Sequence, residues 1–425
     1  MITGNNNILK KIDSIDFFSL FLLAFYPLAL ILGNLLVNSV TLLFVISFFY
    51  KFKDNKVNLD QKDFYILIFF FFSLLVNLIF STNPENSFPR IIKILFIIIF
   101  VIETKRIVQK YETNYLRYVY RTWFIIFIIV SFDVFIELTF GTNSIGMKAY
   151  MPGRIASFFG DELIVGAFYH GFVLFFLSYL FDRESKKYIL ILSTIGVIII
   201  SFFIGERSNF IKLFISVIVF VLLVSKINYK IKITSIILTL LTIITIINFT
   251  PNLNNLHKYS PNLSTRYYFE IKKIFNKDGY SNYIKSSQHG AHRNAAVKIL
   301  EDNLYFGVGV KNFRNESAKK KYENKEYLLT SRRYATHPHQ IHYEFLSETG
   351  LFGYLSFLIF LILSLALAIN RYLKIKNLYQ LSGIIFVISS VLPILPSGSF
   401  LSTFSGGIFW INYAIMCGYI SKTKY

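Results

Sequence analysis

Three of the chain's seven histidines, His337, His339 and His342, fall within six residues. They lie where the longest polar segment meets a long apolar run. Pro338 suits a first helical position, because its missing N–H would have no partner there. The pattern therefore predicts a helix that starts at Pro338, with His339 in its first turn. Such an imidazole titrates near neutral pH, beside backbone N–H groups that attract anions. An interfacial helix whose histidines face water would show the same pattern.

Three arginines could supply charge to a site near these histidines. They are Arg154, in a polar segment; Arg207, wedged between two apolar runs; and Arg293, just after His289 and His292. A charge at the edge of a membrane span is costly unless it faces a cavity or partner. Guanidinium groups suit phosphate or diphosphate, and a nearby histidine could act as a general base. Snorkelling or an ion pair with Glu206 remains the alternative for Arg207, and ordinary surface charge remains the alternative for the other two.

Other kinds of site are less favoured by the spacing. Zinc would need a third or fourth ligand of defined geometry, and the proline breaks the helical arrangement of the histidines. The segment 307–309 has no strand–helix context, so it does not predict dinucleotide binding. Asp133 and Glu137 could relay protons or cations, or could mark a helix end near the interface. We expect no metal and no cofactor.

Membrane helices must position these residues. The 425 residues are 54% hydrophobic and only 16% charged, which is less charge than a soluble domain carries. One cysteine, Cys417, excludes an internal disulfide and a cysteine-based metal site. We predict an all-α polytopic membrane protein with about twelve spans. The predicted spans are 15–33, 35–50, 64–80, 88–102, 122–140, 163–181, 188–204, 209–225, 233–250, 345–369, 380–395 and 405–421.

The distribution of charge predicts the orientation. With the N-terminus inside, the inner segments hold 22 Lys and Arg, whereas the short outer loops hold three. This contrast places both termini in the cytoplasm. It also accounts for the net charge of +20 without nucleic acid as a partner. We expect spans one to nine in residues 1–250, an outer loop domain with short helices in 251–344, and the last three spans in 345–425.

The long outer segment contains two predicted helices, Ser264–Asn276 and Ala291–Asp302, followed by a glycine-rich breaker at 306–310. The helix from Pro338 is expected to continue to Ile369. At that length it spans about 48 Å against a hydrocarbon core of about 30 Å. Its first two turns should therefore project beyond the membrane.

Four stretches resemble the O-antigen ligase and O-antigen polymerase superfamily of bacterial envelope glycosyltransferases. They are 153–166 (GRIASFFGDELIVG), 205–209 (GERSN), 293–313 (RNAAVKILEDNLYFGVGVKNF) and 337–353 (HPHQIHYEFLSETGLFG). The number of spans and the long loop between the ninth and tenth also agree with that family. Leu304 stands where many relatives have proline, and Gln340 where they have asparagine.

The resemblance implies a GT-C-like fold and glycan transfer from undecaprenyl diphosphate at the periplasmic face of the inner membrane. It implies inversion at the sugar, without a nucleotide sugar or a required metal. Arg207 and Arg293 would bind the diphosphate and stabilise it as a leaving group. His339 would orient or deprotonate the acceptor hydroxyl. Contacts to the diphosphate or the acceptor would come from Arg154, His337, Gln340 and Glu348.

Three acceptors are compatible with these motifs. A ligase uses lipid A-core, a polymerase uses a second lipid-linked repeat unit, and a third type of relative glycosylates a protein hydroxyl. The segments 307–309 and 337–340 slightly favour the ligase. A lipid-oligosaccharide flippase is the alternative from another class. It would predict ionisable residues at mid-membrane depth and internal two-fold symmetry.

Overall fold

A computed structural model of the chain describes residues 13–53, 61–111, 115–151, 153–160, 162–183, 186–224, 228–249 and 279–420. These residues form α-helices joined by loops and short 3-10 turns, and no strand occurs among them. The helices are α1 (Ser14–Ala24), α2 (Tyr26–Leu32), α3 (Asn34–Lys53), α4 (Gln61–Ile79), α5 (Pro84–Lys110), α6 (Leu116–Phe140), α7 (Val165–Arg183), α8 (Lys187–Phe203), α9 (Arg207–Leu223), α10 (Tyr229–Phe249), α11 (Gly279–Ser286), α12 (Gln288–Asp302), α13 (Phe313–Ser317), α14 (Ile341–Ile375), α15 (Leu378–Ser390) and α16 (Thr403–Gly418).

The apolar segments predicted from the sequence coincide with these helices. Helices α3, α4, α6, α7 and α14 are long and apolar enough to cross a membrane. The pair α1 and α2, bent by 51° at its junction, brings the number of such spans to six. A helix pairs its own backbone groups, which is what a chain in hydrocarbon requires. The prediction of an all-α membrane protein is confirmed, whereas the count of twelve spans stays a prediction.

The main core lies between α5, α7, α15 and α16, whose facing side chains are buried. Helix α16 packs against both α5 and α15. On the outside of the bundle, large apolar side chains such as Phe132 and Phe135 of α6 are exposed. A surface of this kind suits contact with lipid tails rather than with water.

A second, smaller core lies in the segment before α14. It is formed by Ala295, Ala296, Ile299, Val308, Phe313 and Tyr322, with Tyr343 of α14 packed against it. The helix predicted at Ala291–Asp302 is confirmed as the greater part of α12, which begins after Ser287 accepts a hydrogen bond from Gly290 N. The helix predicted at Ser264–Asn276 lies outside the described residues.

The start of α14 differs from the prediction. The helix begins at Ile341, so Pro338 does not start it and His339 lies before its first turn. Gln340 is the reason: its backbone is extended, and its side chain caps the helix by accepting hydrogen bonds from His342 N and Tyr343 N. His339 itself has a φ of 56°, which a continuing right-handed helix cannot contain.

The prediction of one continuous helix to Ile369 is also wrong, because α14 breaks at Gly350. That glycine has a φ of 63° and lies against Gly307, so a Cβ at Gly350 would sit 2.5 Å from Gly307 N. The segment 304–309 inserts at this break. Four backbone hydrogen bonds of 2.8 to 3.1 Å join them, from Val308 N to Ser347 O, Gly309 N to Glu348 O, Leu351 N to Leu304 O and Phe352 N to Tyr305 O.

Helix α4 and the residues that follow it hold the inserted segment from the other side. Asn77 donates to Glu348 O at 3.2 Å and accepts from Val310 N at 3.2 Å. Thr82 N donates to Val308 O at 3.0 Å. Segment 304–309 thus lies between α4 and α14 and is bonded to both, so it fixes the position of the first part of α14.

Candidate functional site

Four histidines meet at the junction between α12 and the start of α14. His289 and His292 come from α12, while His337 and His339 come from the segment before α14. The ring centroid of His339 lies 4.2 Å from that of His337, 5.0 Å from His292 and 5.6 Å from His289. We call these four residues the imidazole cluster. Among the described residues, no three His, Cys, Asp or Glu side chains are arranged to hold a metal ion.

Three rings of the imidazole cluster resist protonation. Burial, followed by the charges of its histidine neighbours, lowers the pKa of His339 to about 3. Burial and the charge of Lys311 lower the pKa of His337 to about 3, and burial lowers the pKa of His292 to about 4. These rings are therefore neutral at pH 7, and each keeps one ring nitrogen with a free lone pair.

His292 has a fixed tautomer. Its Nε2 lies 2.9 Å from Arg332 O, and a carbonyl only accepts, so Nε2 must carry the proton. Nδ1 of the neutral ring then has a lone pair but no hydrogen-bond partner within the described part of the chain. His292 is fully buried and stacks against His339 at an interplanar angle of 25°. It can therefore fix the orientation of the His339 ring.

The backbone of His339 is held in a left-handed conformation. Ser397 N donates to His339 O at 2.9 Å, and Ser397 Oγ accepts from Ile341 N at 2.9 Å. For a residue other than glycine this conformation costs roughly 1–2 kcal/mol. Such strain persists where the surroundings impose it, and it concentrates at functional sites.

Two of the predicted substrate contacts are engaged within the protein. Besides capping α14, Gln340 donates through Nε2 to Pro393 O at 2.9 Å. Glu348 is buried and accepts from Lys311 N at 2.8 Å and from Phe313 N at 3.4 Å. Both side chains thus hold the segments around the imidazole cluster in position.

Arg293 joins the cluster through α12. Its side chain is exposed, and its guanidinium carbon lies 5.2 Å from the centre of the Tyr343 ring. That cation–π contact holds the charge of Arg293 beside the first turn of α14. Arg293 also directly follows His292 in the sequence. Arg293 is therefore placed to present a cation to a ligand at the mouth of the cluster.

Arg154 and Arg207 form a second group, where the loop after α6 meets the turn between α8 and α9. Ile155 N donates to Ile204 O at 3.2 Å. Gly205 approaches Gly153 so closely that a Cβ there would lie 2.0 Å from Gly153 O. This contact brings together the two segments that carry the arginines.

Acidic side chains shape the surroundings of this second group. Asp133 accepts from Ser157 Oγ, and Glu137 accepts from Ala156 N and Ser157 N, so both anchor the loop that carries Arg154. Burial raises the pKa of Glu206, and the charge of Arg154 opposes that effect. The carboxylate of Glu206 accepts from Gly166 N at 2.8 Å, which ties the α8–α9 turn to α7.

A cavity of about 60 Å³ lies between the two groups. On one side it is lined by Asn209, which bonds to Glu206 at 2.6 Å in the turn that carries Arg207. On the other side it is lined by Ser397, which holds His339. Its remaining polar lining comes from His170, Lys212, Ser390 and Ser405. The cavity therefore links the Arg207 turn to the segment that positions His339.

Three cations near the site were not predicted. Lys311 donates to Ser399 Oγ at 2.9 Å, Arg90 donates to Leu401 O at 3.0 Å, and Lys93 donates to Thr403 Oγ1. Buried Glu344 accepts from Phe400 N at 2.9 Å in the same segment. Arg90 and Lys93 lie three residues apart inside the predicted span 88–102. Charges inside an apolar run were the signal that could have revealed them.

Residues 190–358 match a family model described as O-antigen ligase. This part of the chain is similar to the O-antigen ligase family. The match contains Arg207, Arg293 and His339, and it confirms the resemblance drawn from the sequence motifs. The match and the apolar helices support a membrane protein similar to glycosyltransferases of the O-antigen ligase and polymerase type. A search of curated proteins finds no match.

Proposed function

We propose that the chain is an inner-membrane glycosyltransferase that moves a glycan from undecaprenyl diphosphate to an acceptor at the periplasmic face. O-antigen ligase, with lipid A-core as acceptor, is the form of this activity that we favour. The observation that carries the proposal is the strained His339, held among three other imidazoles and bonded to Ser397, which lines a cavity that Asn209 also lines. A general base and an arginine whose neighbouring residues, Ser397 and Asn209, line one cavity suit transfer from a phosphate-linked donor.

In this proposal the acceptor hydroxyl attacks the anomeric carbon of the sugar as the bond from that carbon to the diphosphate oxygen breaks. Neutral His339 takes the hydroxyl proton. Undecaprenyl diphosphate leaves with the bonding electrons, and Arg207 and Arg293 stabilise its added negative charge. One such displacement inverts the anomeric centre. The anionic donor would also raise the pKa of His339 and make it a stronger base.

The location and organisation of the protein belong to the same proposal. Twelve spans, cytoplasmic termini and a periplasmic segment between the ninth and tenth spans follow from the charge pattern. The division at residues 250 and 344 follows from the same assignment. Arg154 is proposed to assist the diphosphate contacts. No metal takes part in the proposed reaction.

Transfer by the purified, full-length protein in nanodiscs tests this proposal. The donor is an undecaprenyl-diphosphate-linked oligosaccharide, offered either with lipid A-core or alone in excess. Wild-type protein is expected to glycosylate the core and to lose no activity in EDTA. Chain growth on the carrier would instead identify a polymerase. Lipid movement without a new glycosidic bond would contradict the enzyme assignment.

Variants separate the site from the fold. His339→Asn keeps a residue that tolerates the left-handed conformation, so we expect normal folding with transfer reduced about 10²–10⁴-fold. Arg207→Gln is expected to lower transfer about 10²–10³-fold. The matched control is His342→Asn. Both ring nitrogens of His342 bond within the protein, Nδ1 to the Tyr354 hydroxyl and Nε2 to Val391 O. If His339→Asn and the control retained equal activity, His339 would not be the base.

A further inference from the structure

Lys212 is a buried cation that the proposed reaction does not use. It lies on α9, only 2% exposed, and its Nζ donates to Pro396 O at 3.0 Å. Among the described residues no ion pair joins it to a carboxylate. An ammonium group has three N–H donors, so this one carbonyl cannot satisfy it. Lys212 lies in the predicted span 209–225, and a lysine in such a span without an acidic partner indicates a ligand site.

The side chain of Lys212 lines the cavity between the Arg207 turn and His339. The other polar groups of the lining are neutral amide, hydroxyl and imidazole side chains, with His170 bonded to Ser389 Oγ at 2.8 Å. Lys212 is thus the single charged residue of a cavity large enough for a small group of atoms. A lining of one cation and neutral donors matches an anion rather than a cation or an apolar ligand.

The position of Lys212 suggests which anion would bind. It lies five residues after Arg207, which places it about 7 Å further along the helix axis. Pro396, which it contacts, precedes Ser397, and Ser397 donates to His339 O at 2.9 Å. An anion on Lys212 would therefore lie beside the turn that carries Arg207 and below the segment that holds His339.

We propose that this cavity is a binding site for a phosphate group, with Lys212 as its charge partner. The identification of that group with the diphosphate of the lipid carrier rests on the proposed function. Free inorganic diphosphate has the same chemistry, so both sources enter the test. Bound phosphate neutralises a buried ammonium that otherwise has one acceptor. The contact of Lys212 with Pro396 then couples occupancy of the cavity to the segment that positions His339.

Direct binding to the full-length protein in nanodiscs tests the site without any need for transfer. The probes are undecaprenyl diphosphate and inorganic diphosphate. Lys212→Met keeps the volume and removes the charge. We expect it to weaken binding about 10- to 100-fold, the effect of losing a buried charge-assisted hydrogen bond. Lys212→Arg should bind more tightly than Lys212→Met. The control Lys232→Met removes a half-buried lysine of α10 that does not line the cavity and whose Nζ bonds to Leu222 O, and it should bind like wild type.

A second variant tests the cavity independently of the charge. Ser390→Leu fills the cavity from α15 and leaves Lys212 intact, so it should also weaken binding. Loss of affinity for the lipid probe alone identifies the carrier as the ligand, and equal loss for both probes identifies a site for free phosphate groups. Wild-type affinity in Lys212→Met and Ser390→Leu, or no binding by wild type, overturns the proposal. Binding that depends on Lys212 in a protein without transfer activity would contradict the proposed function alone.

Discussion

At the scale of single residues, the imidazole cluster holds several neutral bases in a small volume. His339 is constrained both by its left-handed backbone and by the stacked ring of His292. The ring centroids of His337 and His339 are 4.2 Å apart, so protonation of one ring disfavours protonation of the other. A structural histidine would gain nothing from these constraints. A base that must stay unprotonated until an anionic donor arrives would benefit from them.

The cluster makes the stability of the protein depend on pH. The pKa values of His292, His337 and His339 are lowered to between about 3 and about 4, below the unfolded value of 6.5. Between about pH 4 and 6.5 the unfolded chain binds more protons at these rings, so folding stability falls as the pH decreases. Each ring contributes at most about 1.4 kcal/mol per pH unit. The thermal unfolding midpoint in detergent should therefore drop between pH 7 and pH 5.

A double variant, His337→Asn with His339→Asn, removes two of the three rings with lowered pKa values. Its unfolding midpoint should change less between pH 7 and pH 5 than that of the wild type. Parallel curves for the two proteins would show that the cluster does not control the acid sensitivity.

The sequence could predict part of this site and not the rest. His339, Arg207 and Arg293 stand out because they are charged or titratable residues at the edges of apolar runs. Arg90, Lys93 and Lys212 lie inside such runs, and a residue-by-residue search for charges there could have found them, whereas the mean hydropathy of the segment could not. Gln340 and Glu348 were predicted as substrate contacts from the family resemblance. Their bonds to backbone groups depend on neighbours that only the folded chain brings together.

At the scale of elements, the break in α14 is the feature that the sequence did not predict. Apolar periodicity continues from Ile341 to Ile375, and local propensity alone favours one helix. The interruption depends on the segment 304–309, about 40 residues earlier in the chain, and on the side chain of Asn77 in α4. Interactions at such a sequence separation cannot be obtained from periodicity. The approximate positions of the helices could be, because apolar runs bounded by charges and turns are local signals.

The close contact between Gly307 and Gly350 leads to a prediction about stability. A Cβ at Gly350 would overlap backbone atoms of Tyr305 and Phe306, and both glycines have positive φ. Gly350→Ala and Gly307→Ala should therefore each cost at least about 1 kcal/mol of folding free energy, with additional loss from the overlap. Lower unfolding midpoints and faster proteolysis of the segment before α14 would show this.

Gly196→Ala is the matched control for this pair. Gly196 is a helical residue of α8, and a Cβ there would meet no atom within 4 Å. Alanine should be neutral or stabilising at that position. Equal effects of the alanine substitutions at 196, 307 and 350 would contradict the role assigned to the glycine contact.

At the scale of the whole molecule, the candidate site joins two sequence-distant parts of the bundle at one end. The Arg154–Arg207 group comes from the first part of the chain, and the imidazole cluster comes from α12 and the segment before α14. Helices α15 and α16 complete the cavity between them through Ser390 and Ser405. Chemistry at this end requires that it face the compartment that holds the acceptor. The proposed topology, drawn from the charge pattern, has that end outside.

Cysteine labelling can test this orientation, because the native Cys417 is buried. Ser331 is exposed in the segment before α14, and Lys374 is exposed at the other end of that helix. A membrane-impermeant maleimide should label Ser331→Cys in intact spheroplasts, and Lys374→Cys only after permeabilisation. The unmodified protein gives the background. Labelling of Lys374→Cys in intact spheroplasts would reverse the proposed topology.

The insertion of segment 304–309 into α14 has a consequence for biogenesis. The carbonyl groups of Ser347 and Glu348 are paired by Val308 N and Gly309 N. In hydrocarbon an unpaired backbone group costs several kcal/mol. The ribosome produces the inserted segment before α14. In the proposed topology, a chain that exports this segment therefore places Val308 N and Gly309 N on the outer side before the carbonyl groups of α14 need them. A chain that retains it in the cytoplasm leaves α14 incomplete. In the proposed topology, export of the loop is therefore a condition for closing the bundle.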